Sequence, residues 1–384
     1  MTTTEDPTNL YRRIGVRPII NASGTTTKYG GTKLRSEVQK VMNQASTIMV
    51  DIDELNQAAG KVIAEITGAE AGLVTSGAAG GLLLQAAACM AGSDPINMAK
   101  LPSTHGLKNE IMMQRSHRFP YDQAYRAAGA TLVDVGDGRR VSPWEFEAGF
   151  TDRTAAVAYL FSPFVSRRAL PLEQVCELSH ARGVPVIVDA ASFLPPRANL
   201  RRFIAEGADM VSYSGGKAIR GPQSTGILCG RADLIEAAYL NGQPNSDGIG
   251  RSAKVCKEEI AGLITALELF VDTDHEALAA EWRYKSQSVV NALQDLPGLR
   301  VEISDAAPEL DEYLRLSARA MIYFEKSWKG PGRQAVIQKL IDGAPSIRVG
   351  VAQNGLGIAV IPVNLADREE ELVASRLREI LTGK

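Results

Sequence analysis

The stretch Ser212-Tyr213-Ser214-Gly215-Gly216-Lys217 follows an apolar run, Ala208 to Val211, that is typical of a buried β-strand. A second apolar run, Val184 to Val188, ends in Asp189. The chain between the two runs is long enough for one helix, so the runs are predicted to be parallel strands joined by a helical crossover. This arrangement places Asp189 and Lys217 at the carboxyl edge of one sheet, where α/β proteins bind their ligands.

A lysine amine and a carboxylate on one sheet edge are what a pyridoxal-phosphate (PLP) enzyme requires. The lysine forms a Schiff base with the cofactor, and the carboxylate keeps the pyridinium nitrogen protonated. Lys217 and Asp189 are therefore the candidate catalytic residues. Ser214 and Lys217 also form Ser-x-x-Lys, a pattern of penicillin-binding enzymes, but the Ser-Asp-Asn and Lys-Thr-Gly motifs that accompany it are absent. A Gly-Gly-Lys stretch alone is also typical of a solvated surface lysine, which is the alternative to a catalytic role.

A loop of small residues upstream is a candidate phosphate site. It follows a predicted strand, runs from Thr75 to Gly81 and leads into the apolar helical stretch Leu82 to Met90. Small side chains let backbone amides approach an anion, and the N-terminus of a helix attracts negative charge. The predicted phosphate contacts are Ser76, Gly77, Ala78 and Ala79, with Ser214 as a further hydroxyl donor. The alternative is that the small residues of this loop allow close packing of the helix and bind no phosphate.

His117 follows a third predicted strand at the same sheet edge. We expect its flat ring to stack on the pyridine ring, and we count His117 with Lys217 and Asp189 among the candidate catalytic residues. A surface histidine with one hydrogen bond is the alternative. Arg115 and Arg118 flank it and are candidates for binding an anionic substrate or for pairing with surface acids.

The composition is that of an ordinary soluble enzyme, with 45% apolar residues, 22% charged residues and a net charge of −2. It gives no sign of a nucleic-acid-binding surface, and no apolar run reaches the roughly 20 residues of a membrane span. The N-terminus lacks the pattern of a secretory signal. The four cysteines form no Cys-x-x-Cys pair, and the four histidines show no metal-binding spacing. We expect a cytoplasmic protein without a metal site.

Seven short apolar segments alternate with helical patterns over most of the first 230 residues. These segments are Gly72–Thr75, Glu110–Arg115, Thr131–Val135, Ala155–Phe161, Val184–Val188, Asp209–Tyr213 and Gly226–Cys229. The alternation predicts an α/β fold with a mostly parallel seven-stranded sheet between helices. We divide the chain into an N-terminal arm (1–50) that packs on the small domain, a large cofactor-binding domain (51–253) and a small α+β C-terminal domain (254–384).

The order phosphate loop, stacking ring, aspartate and lysine resembles that of the fold-type I PLP enzymes, the aspartate aminotransferase superfamily. Further motifs resemble the branch of bacterial selenocysteine synthase (L-seryl-tRNA(Sec) selenium transferase) and D-glucosaminate-6-phosphate ammonia-lyase. These motifs are Ile14–Thr25, Thr67–Ala71, Ser214–Lys217 with Gly221–Gly226, and Gly250–Glu259. They span about residues 10 to 270, and the lysine segment and Gly250–Glu259 are the most specific.

The resemblance implies further binding residues. Arg251, Lys254 and Lys257 would form a basic cluster near the cofactor phosphate or a substrate anion; a solvated helix start is the alternative. Arg348 lies on a predicted strand of the small domain, where the superfamily often keeps an arginine for the substrate carboxylate. The resemblance also implies a homodimer or a higher homo-oligomer.

The cofactor makes a carbanion at the substrate α-carbon easy to form, and the protein decides which group leaves. Lys217 is the natural base for the α-proton, because it is tethered beside the cofactor and nearby positive charge can lower its pKa. We therefore predict a PLP-dependent ammonia-lyase that acts by α,β-elimination on a hydroxylated amino acid or amino-sugar acid, such as D-glucosaminate 6-phosphate.

Four alternatives are open. Transfer to seryl-tRNA is disfavoured by the net charge and by the short segment before the motif Ile14–Thr25, since the bacterial tRNA enzyme carries an additional N-terminal domain. Racemase and aldolase chemistry use related carbanions. A PLP-binding regulator would be expected to carry a DNA-binding module, and the sequence shows none.

Overall fold

The computed structural model describes residues 9–161, 169–304, 318–352 and 355–383. The chain forms two compact units. The large unit is Leu34–Thr273, and the small unit combines Met1–Lys33 with Asp274–Lys384.

The strands are β1 (Ile19–Ala22), β2 (Ala71–Ser76), β3 (Glu110–Gln114), β4 (Thr131–Val135), β5 (Thr154–Leu160), β6 (Val186–Asp189), β7 (Met210–Ser214), β8 (Thr225–Gly230), β9 (Leu299–Ile303), β10 (Ala320–Phe324), β11 (Ser346–Val351) and β12 (Gly357–Val360). The helices are α1 (Asn9–Arg13), α2 (Ser36–Ser46), α3 (Ile52–Thr67), α4 (Gly77–Ala91), α5 (Pro95–Lys100), α6 (Gln123–Ala127), α7 (Pro143–Ala148), α8 (Leu172–His180), α9 (Asn199–Ala205), α10 (Ala232–Leu240), α11 (Lys257–Asp272), α12 (His275–Leu293), α13 (Arg333–Asp342) and α14 (Glu369–Thr382).

The large unit contains a seven-stranded sheet in the order β2-β8-β7-β6-β5-β3-β4. The pairs β3–β4, β3–β5, β5–β6 and β6–β7 are parallel, and β8 is antiparallel to both β2 and β7. The predicted α/β fold with a mostly parallel seven-stranded sheet is confirmed. Because β8 runs against its neighbours, the chain turns back at the carboxyl edge immediately after the lysine segment.

The core of the large unit lies between this sheet and its helices. All seven residues of β5 are buried, as expected for a central strand covered on both faces. Helix α4 consists largely of Gly, Ala and Leu and packs closely on β7. A Cβ built on Gly81 would lie 2.4 Å from Ser212 Oγ, so the small residues of α4 permit this contact.

Helix α3 shows how local signals set the element bounds. Asp51 Oδ1 accepts hydrogen bonds from the backbone N–H groups of Asp53 (2.8 Å) and Glu54 (3.2 Å), which satisfies two donors of the first turn. The helix ends at Gly68, whose φ of 71° is readily adopted only by glycine.

The small unit contains a five-stranded sheet in the order β1-β11-β12-β10-β9. Strand β1 from the N-terminal segment pairs in parallel with β11, and the other pairs are antiparallel. Helix α13 was not predicted. It buries Val336 and Leu340 one turn apart, which is a weak periodic signal.

The boundaries of the two units differ from the expected ones, because both α2 and α11 belong to the large unit. Lys257 Nζ in α11 donates a hydrogen bond to the carbonyl of Ala45 in α2 at 2.6 Å. A Cβ on Gly262 would lie 2.8 Å from Met42 Cγ. These contacts join segments remote in sequence.

None of the described helices is long and apolar enough to cross a membrane.

Candidate functional site

Asp189 and Lys217 are carried by neighbouring parallel strands. Asp189 is the last residue of β6 and pairs in register with Ser212 of β7. Lys217 follows the end of β7, and its Nζ donates a hydrogen bond to Ser192 Oγ at 2.6 Å. Ser192 lies in the segment that leaves β6 just after Asp189. The amine and the carboxylate therefore share the carboxyl edge of the sheet, where the sequence places them.

The loop after β7 is closed by backbone hydrogen bonds and by packing against glycines. The N–H of Gly215 donates to the carbonyl of Thr225, and the N–H of Gly221 donates to the carbonyl of Gly215, both at 2.9 Å. A Cβ built on Gly216 would lie 2.6 Å from Gln223 Cα and 2.7 Å from Gln223 Oε1. No side chain fits at Gly216 without displacing the backbone that carries the lysine.

Burial lowers the pKa of Lys217, and the negative charge of Asp189 opposes this shift. The cause of the lowered pKa is therefore desolvation rather than the nearby positive charge that the sequence analysis invoked. A lysine with a lowered pKa is more readily available as a nucleophile and base.

Burial also raises the pKa of Asp189, whereas the N–H of Ala191 and the charge of Lys217 lower it. Asp189 is 8% exposed. Its Oδ1 accepts the N–H of Ala191 at 2.9 Å. Among the described residues no donor reaches its other oxygen, Oδ2. A carboxylate oxygen that accepts no hydrogen bond, in a residue that is otherwise buried, suits a positively charged N–H group of a ligand.

His117 is fully buried rather than on the surface. Its Nδ1 accepts the N–H of Leu160, at the end of β5, at 3.3 Å. Tyr159 packs edge-on against the ring, with centroids 4.5 Å apart. Burial lowers the pKa of His117 to about 4, so the ring is neutral at pH 7. Its Nε2 has no hydrogen-bond partner among the described residues, and His117 and Asp189 line the same small cavity.

The predicted phosphate loop lies at the start of α4. Ser76 ends β2, and Gly77 (φ 64°) turns the chain into the helix. Ala78 and Ala79 belong to the first turn, whose backbone N–H groups have no acceptor within the helix. These groups and the positive end of the helix dipole favour an anion such as phosphate.

Strand β8 places this loop close to the lysine segment. Gly226 pairs with Thr75 of β2 on one side and with Ser214 of β7 on the other. A Cβ on Gly226 would lie 2.4 Å from the carbonyl carbon of Gly77. Two strand spacings, about 10 Å, therefore separate Ser214 from the end of β2.

The segment Gly250–Glu259 is attached to the same edge. Ser224 Oγ donates a hydrogen bond to Glu259 Oε1, and Glu259 Oε2 accepts the N–H of Cys256 at 3.0 Å. The start of α11 thus supports the turn between the lysine and β8, which gives this motif a structural role.

Three basic residues of this segment have different surroundings. Lys257 binds the carbonyl of Ala45 and pairs with Glu258, so its amine is used within the large unit. Arg251 is half-buried and Lys254 is exposed. Within the described ranges neither forms an ion pair or a side-chain hydrogen bond.

The arginines beside His117 also differ. Arg118 pairs with the buried Asp122 at 2.6 Å and with the more exposed Asp134 at 2.8 Å, so its guanidinium is already engaged by two acids. Arg115 is exposed and has no such partner in the described part of the chain.

Arg348 lies on β11 in the small unit. Its Nη1 donates a hydrogen bond to Ser346 Oγ at 2.7 Å, and its Cζ lies 6.0 Å from the ring centroid of Tyr29.

Sequence reasoning missed Ser192 and Gln223. Ser192 is the first hydroxyl residue after Asp189, in Asp-Ala-Ala-Ser, and a hydroxyl beside a catalytic acid was a usable signal. Gln223 packs on Gly216, and its Oε1 is buried without a hydrogen-bond donor among the described residues. The sequence shows Gln223 only as part of Gly-Pro-Gln.

The donor set fits PLP. It combines an amine of lowered pKa, a carboxylate oxygen without a donor, a buried flat ring and a helix N-terminus of small residues. Among the described residues there is no cluster of His, Cys, Asp and Glu that could hold a metal ion.

The solved structure of D-glucosaminate-6-phosphate ammonia-lyase is similar to this chain, with a TM-score of 0.84 and 30% sequence identity over 100% of this chain and 99% of the other. The fold is that of the fold-type I PLP enzymes, and the protein is an enzyme.

A profile of the L-seryl-tRNA selenium transferase (SelA) family matches residues 19–283, and the chain belongs to this family. The chain is 34% identical over 379 residues to 5'-C-glycyluridine monooxygenase-decarboxylase of a Streptomyces species. The aligned region covers 97% of this chain and 92% of that protein. The chain is also 32% identical over 378 residues to D-glucosaminate-6-phosphate ammonia lyase of Salmonella typhimurium, covering 97% and 98%. The ammonia lyase and the selenium transferases are PLP-dependent families.

Proposed function

We propose that the protein is a PLP-dependent ammonia-lyase that eliminates water from a hydroxylated amino acid or amino-sugar acid and releases a keto acid and ammonia. The observation that carries the proposal is the half-buried amine of Lys217 beside the buried carboxylate of Asp189 at one sheet edge. The 32% identity to D-glucosaminate-6-phosphate ammonia lyase over nearly the full length supports this reaction class.

Each residue of the site has a role in holding the cofactor. Lys217 Nζ would be the covalent attachment point. Asp189 Oδ2 would accept a hydrogen bond from the protonated pyridine nitrogen, and His117 would contact the pyridine ring. The N–H groups at Ser76–Ala79 would hold the phosphate, with the hydroxyl of Ser214 as a further donor. Bound PLP supplies an electron sink that makes the substrate α-proton acidic.

Lys217 is the proton carrier. Desolvation lowers its pKa, which increases the fraction of free amine relative to an exposed lysine once the substrate amine has replaced it. Nζ would take the α-proton and then give a proton to the departing Cβ hydroxyl, so that the Cβ–O bond breaks and water leaves. Hydrolysis of the resulting enamine would give the keto acid and ammonia. Ser192 Oγ positions Nζ between these transfers.

Substrate anions have several candidate partners. Arg115, Arg251 and Lys254 have no ion pair within the described ranges, so each can receive a carboxylate or phosphate. We propose that Arg348, in the small unit, can also bind a carboxylate or phosphate.

The test is a substrate panel with purified, PLP-loaded protein. Ammonia and keto acid are measured with D- and L-hydroxyamino acids and with D-glucosaminate, with and without a 6-phosphate. Wild-type protein should show a visible absorbance band that borohydride removes, and Lys217→Ala should lose both this band and turnover. Lys326→Ala, at an exposed lysine, is the matched control. Turnover that survives in Lys217→Ala would contradict the assignment.

Two other activities are favoured by specific comparisons. The 34% identity to a monooxygenase-decarboxylase favours an oxidative reaction, which would consume dioxygen and release carbon dioxide in the same panel. The SelA profile favours transfer to seryl-tRNA, which a gel shift with tRNA would detect. Ammonia release without dioxygen uptake or a gel shift would support the lyase over both. We further propose a homodimer or a larger homo-oligomer, to be measured by light scattering.

A further inference from the structure

A cavity of about 550 Å³ lies in the large unit, between helices α3 and α10 and beside β2, the strand at one end of the seven-stranded sheet. We call it the edge cavity. Gly60 and Ala64 line it on the side of α3, and the buried Leu73 and Ile235 make its inner part apolar. Pockets that bind small molecules are mostly apolar and have volumes of about 300–1,000 Å³. The edge cavity therefore has the size and lining of a small-molecule site.

Helix α10 is joined to the other walls of the edge cavity at both of its ends. Glu70 Oε2, just before β2, accepts the N–H of Ala232 at 2.9 Å. Tyr239 Oη, near the end of α10, donates a hydrogen bond to Asp53 Oδ1 at the start of α3. The walls are thus held in place by the protein itself, and a site that is already formed loses little conformational entropy when a ligand binds.

The floor of the edge cavity carries few side chains. Gly60 and Gly72 both line the cavity, and a Cβ built on Gly60 would lie 2.3 Å from the carbonyl oxygen of Gly72. Helix α3 therefore lies directly on β2 at this point, and any side chain at Gly60 would separate them. Backbone without side chains leaves a flat surface, which suits a flat ring.

One buried polar group lines the edge cavity without a partner. Asn56 is 3% exposed, and its Nδ2 donates to the carbonyl of Ile52 at 2.9 Å. Because a carbonyl can pair only with the N–H end of the amide, the other end of the side chain is the acceptor Oδ1. Among the described residues no donor reaches this buried oxygen. A buried acceptor without a donor is costly, and a ligand that brings one N–H or O–H group would satisfy it.

The charged residues of the edge cavity are all at its exposed rim. They are Lys61, Glu70 and Glu236. The buried part of the cavity thus offers a ligand apolar contacts and one acceptor but no charge, which favours a neutral ligand. Lys217 and Asp189 do not line this cavity.

We propose that the edge cavity binds a neutral, apolar ring compound that donates one hydrogen bond to Asn56 Oδ1. The site goes beyond the proposed lyase reaction and does not depend on it. The ring packs on the floor at Gly60 and Gly72, and its N–H or O–H group points to Asn56.

The experiment compares two probes of nearly the same shape, indole and benzofuran, by calorimetry with the full-length, PLP-loaded protein. Indole has an N–H group where benzofuran has an oxygen. Wild-type protein should bind indole about five-fold more tightly than benzofuran, because one hydrogen bond is made with indole only. Asn56→Leu, which keeps the volume of the side chain and removes the acceptor, should abolish this preference and retain benzofuran binding.

A second pair of variants locates the probes in the edge cavity. Ala64→Phe fills the cavity from the wall of α3 and should abolish binding of both probes. Ala58→Phe is the matched control, because Ala58 is an exposed residue of the same helix that does not line the cavity. It should bind both probes as the wild type does. Equal thermal unfolding of the two variants excludes a folding defect.

Three results would overturn the proposal. The first is equal affinity of the wild type for indole and benzofuran, or no binding of either probe. The second is unchanged indole binding in Ala64→Phe. The third is a smaller oligomer in Ala64→Phe than in Ala58→Phe by light scattering, which would show that a second copy of the chain covers the cavity. Because no turnover is measured, the outcome is independent of whether lyase activity is found.

Discussion

Replacing Gly216 by alanine should displace the lysine loop without removing a functional group. The added Cβ would lie 2.6 Å from Gln223 Cα, 2.7 Å from Gln223 Oε1 and 3.1 Å from the carbonyl oxygen of Gln223. The side-chain oxygen can move away, but the two backbone atoms belong to the turn that leads into β8. The substitution therefore changes the backbone next to Lys217.

The size of the effect follows from these distances. Carbon atoms pack at about 3.5–4.0 Å, so the two backbone segments must separate by about 1 Å. Overpacking of this kind costs about 1–3 kcal/mol of stability. A misplacement of about 1 Å at a catalytic group reduces the rate about 100-fold. We expect Gly216→Ala to lower kcat/KM by about this factor.

Three measurements test this expectation. Ammonia release gives kcat/KM, the visible absorbance band gives the lysine-bound cofactor, and urea denaturation gives the free energy of unfolding. Gly138→Ala is the matched control, because a Cβ at Gly138 meets nothing within 4 Å and its φ is not positive. If Gly216→Ala keeps the kcat/KM and the unfolding free energy of the wild type, the reasoning is refuted.

Three further substitutions test the electrostatics of the site. Asp189→Asn should lower kcat about 10-fold to 100-fold, the effect of losing a charge-assisted hydrogen bond worth about 1.5–3 kcal/mol; an unchanged steady-state kcat would contradict its role. Ser192→Ala removes an acceptor from the ammonium of Lys217, so the pKa of Lys217 should fall further and the pH profile of cofactor attachment should move to lower pH. A profile that stays in place would show that Ser192 does not hold the amine. His117 is neutral in the folded protein because burial lowers its pKa to about 4. The protein should therefore lose up to about 3 kcal/mol of stability as the pH falls from ~6.5 towards 4, because in this range only the unfolded state takes up the proton. His117→Phe should remove that part of the pH dependence in urea unfolding at pH 7 and pH 4.5, and should cost about 1–3 kcal/mol at pH 7 because the N–H of Leu160 loses its acceptor.

The sequence by itself determined the large sheet. Central strands covered on both faces must be continuously apolar, and short runs such as Ala155–Phe161 therefore correspond closely to strands such as β5. The same logic predicted the sheet edge of Asp189 and Lys217, because parallel strands with helical crossovers bring their carboxyl ends together. Both inferences depend on local pattern and chain direction alone.

The tertiary structure decided what depends on contacts between distant segments. The contact of Lys257 with Ala45 assigns α11 to the large unit. Burial lowers the pKa of Lys217. The fold also brings Ser192 Oγ within hydrogen-bond distance of Lys217 Nζ. Desolvation and side-chain position depend on everything that packs around a residue, and a linear pattern records only its neighbours along the chain. The sequence thus indicated which residues are candidates for the site, and the packing of the folded chain set their charges and partners.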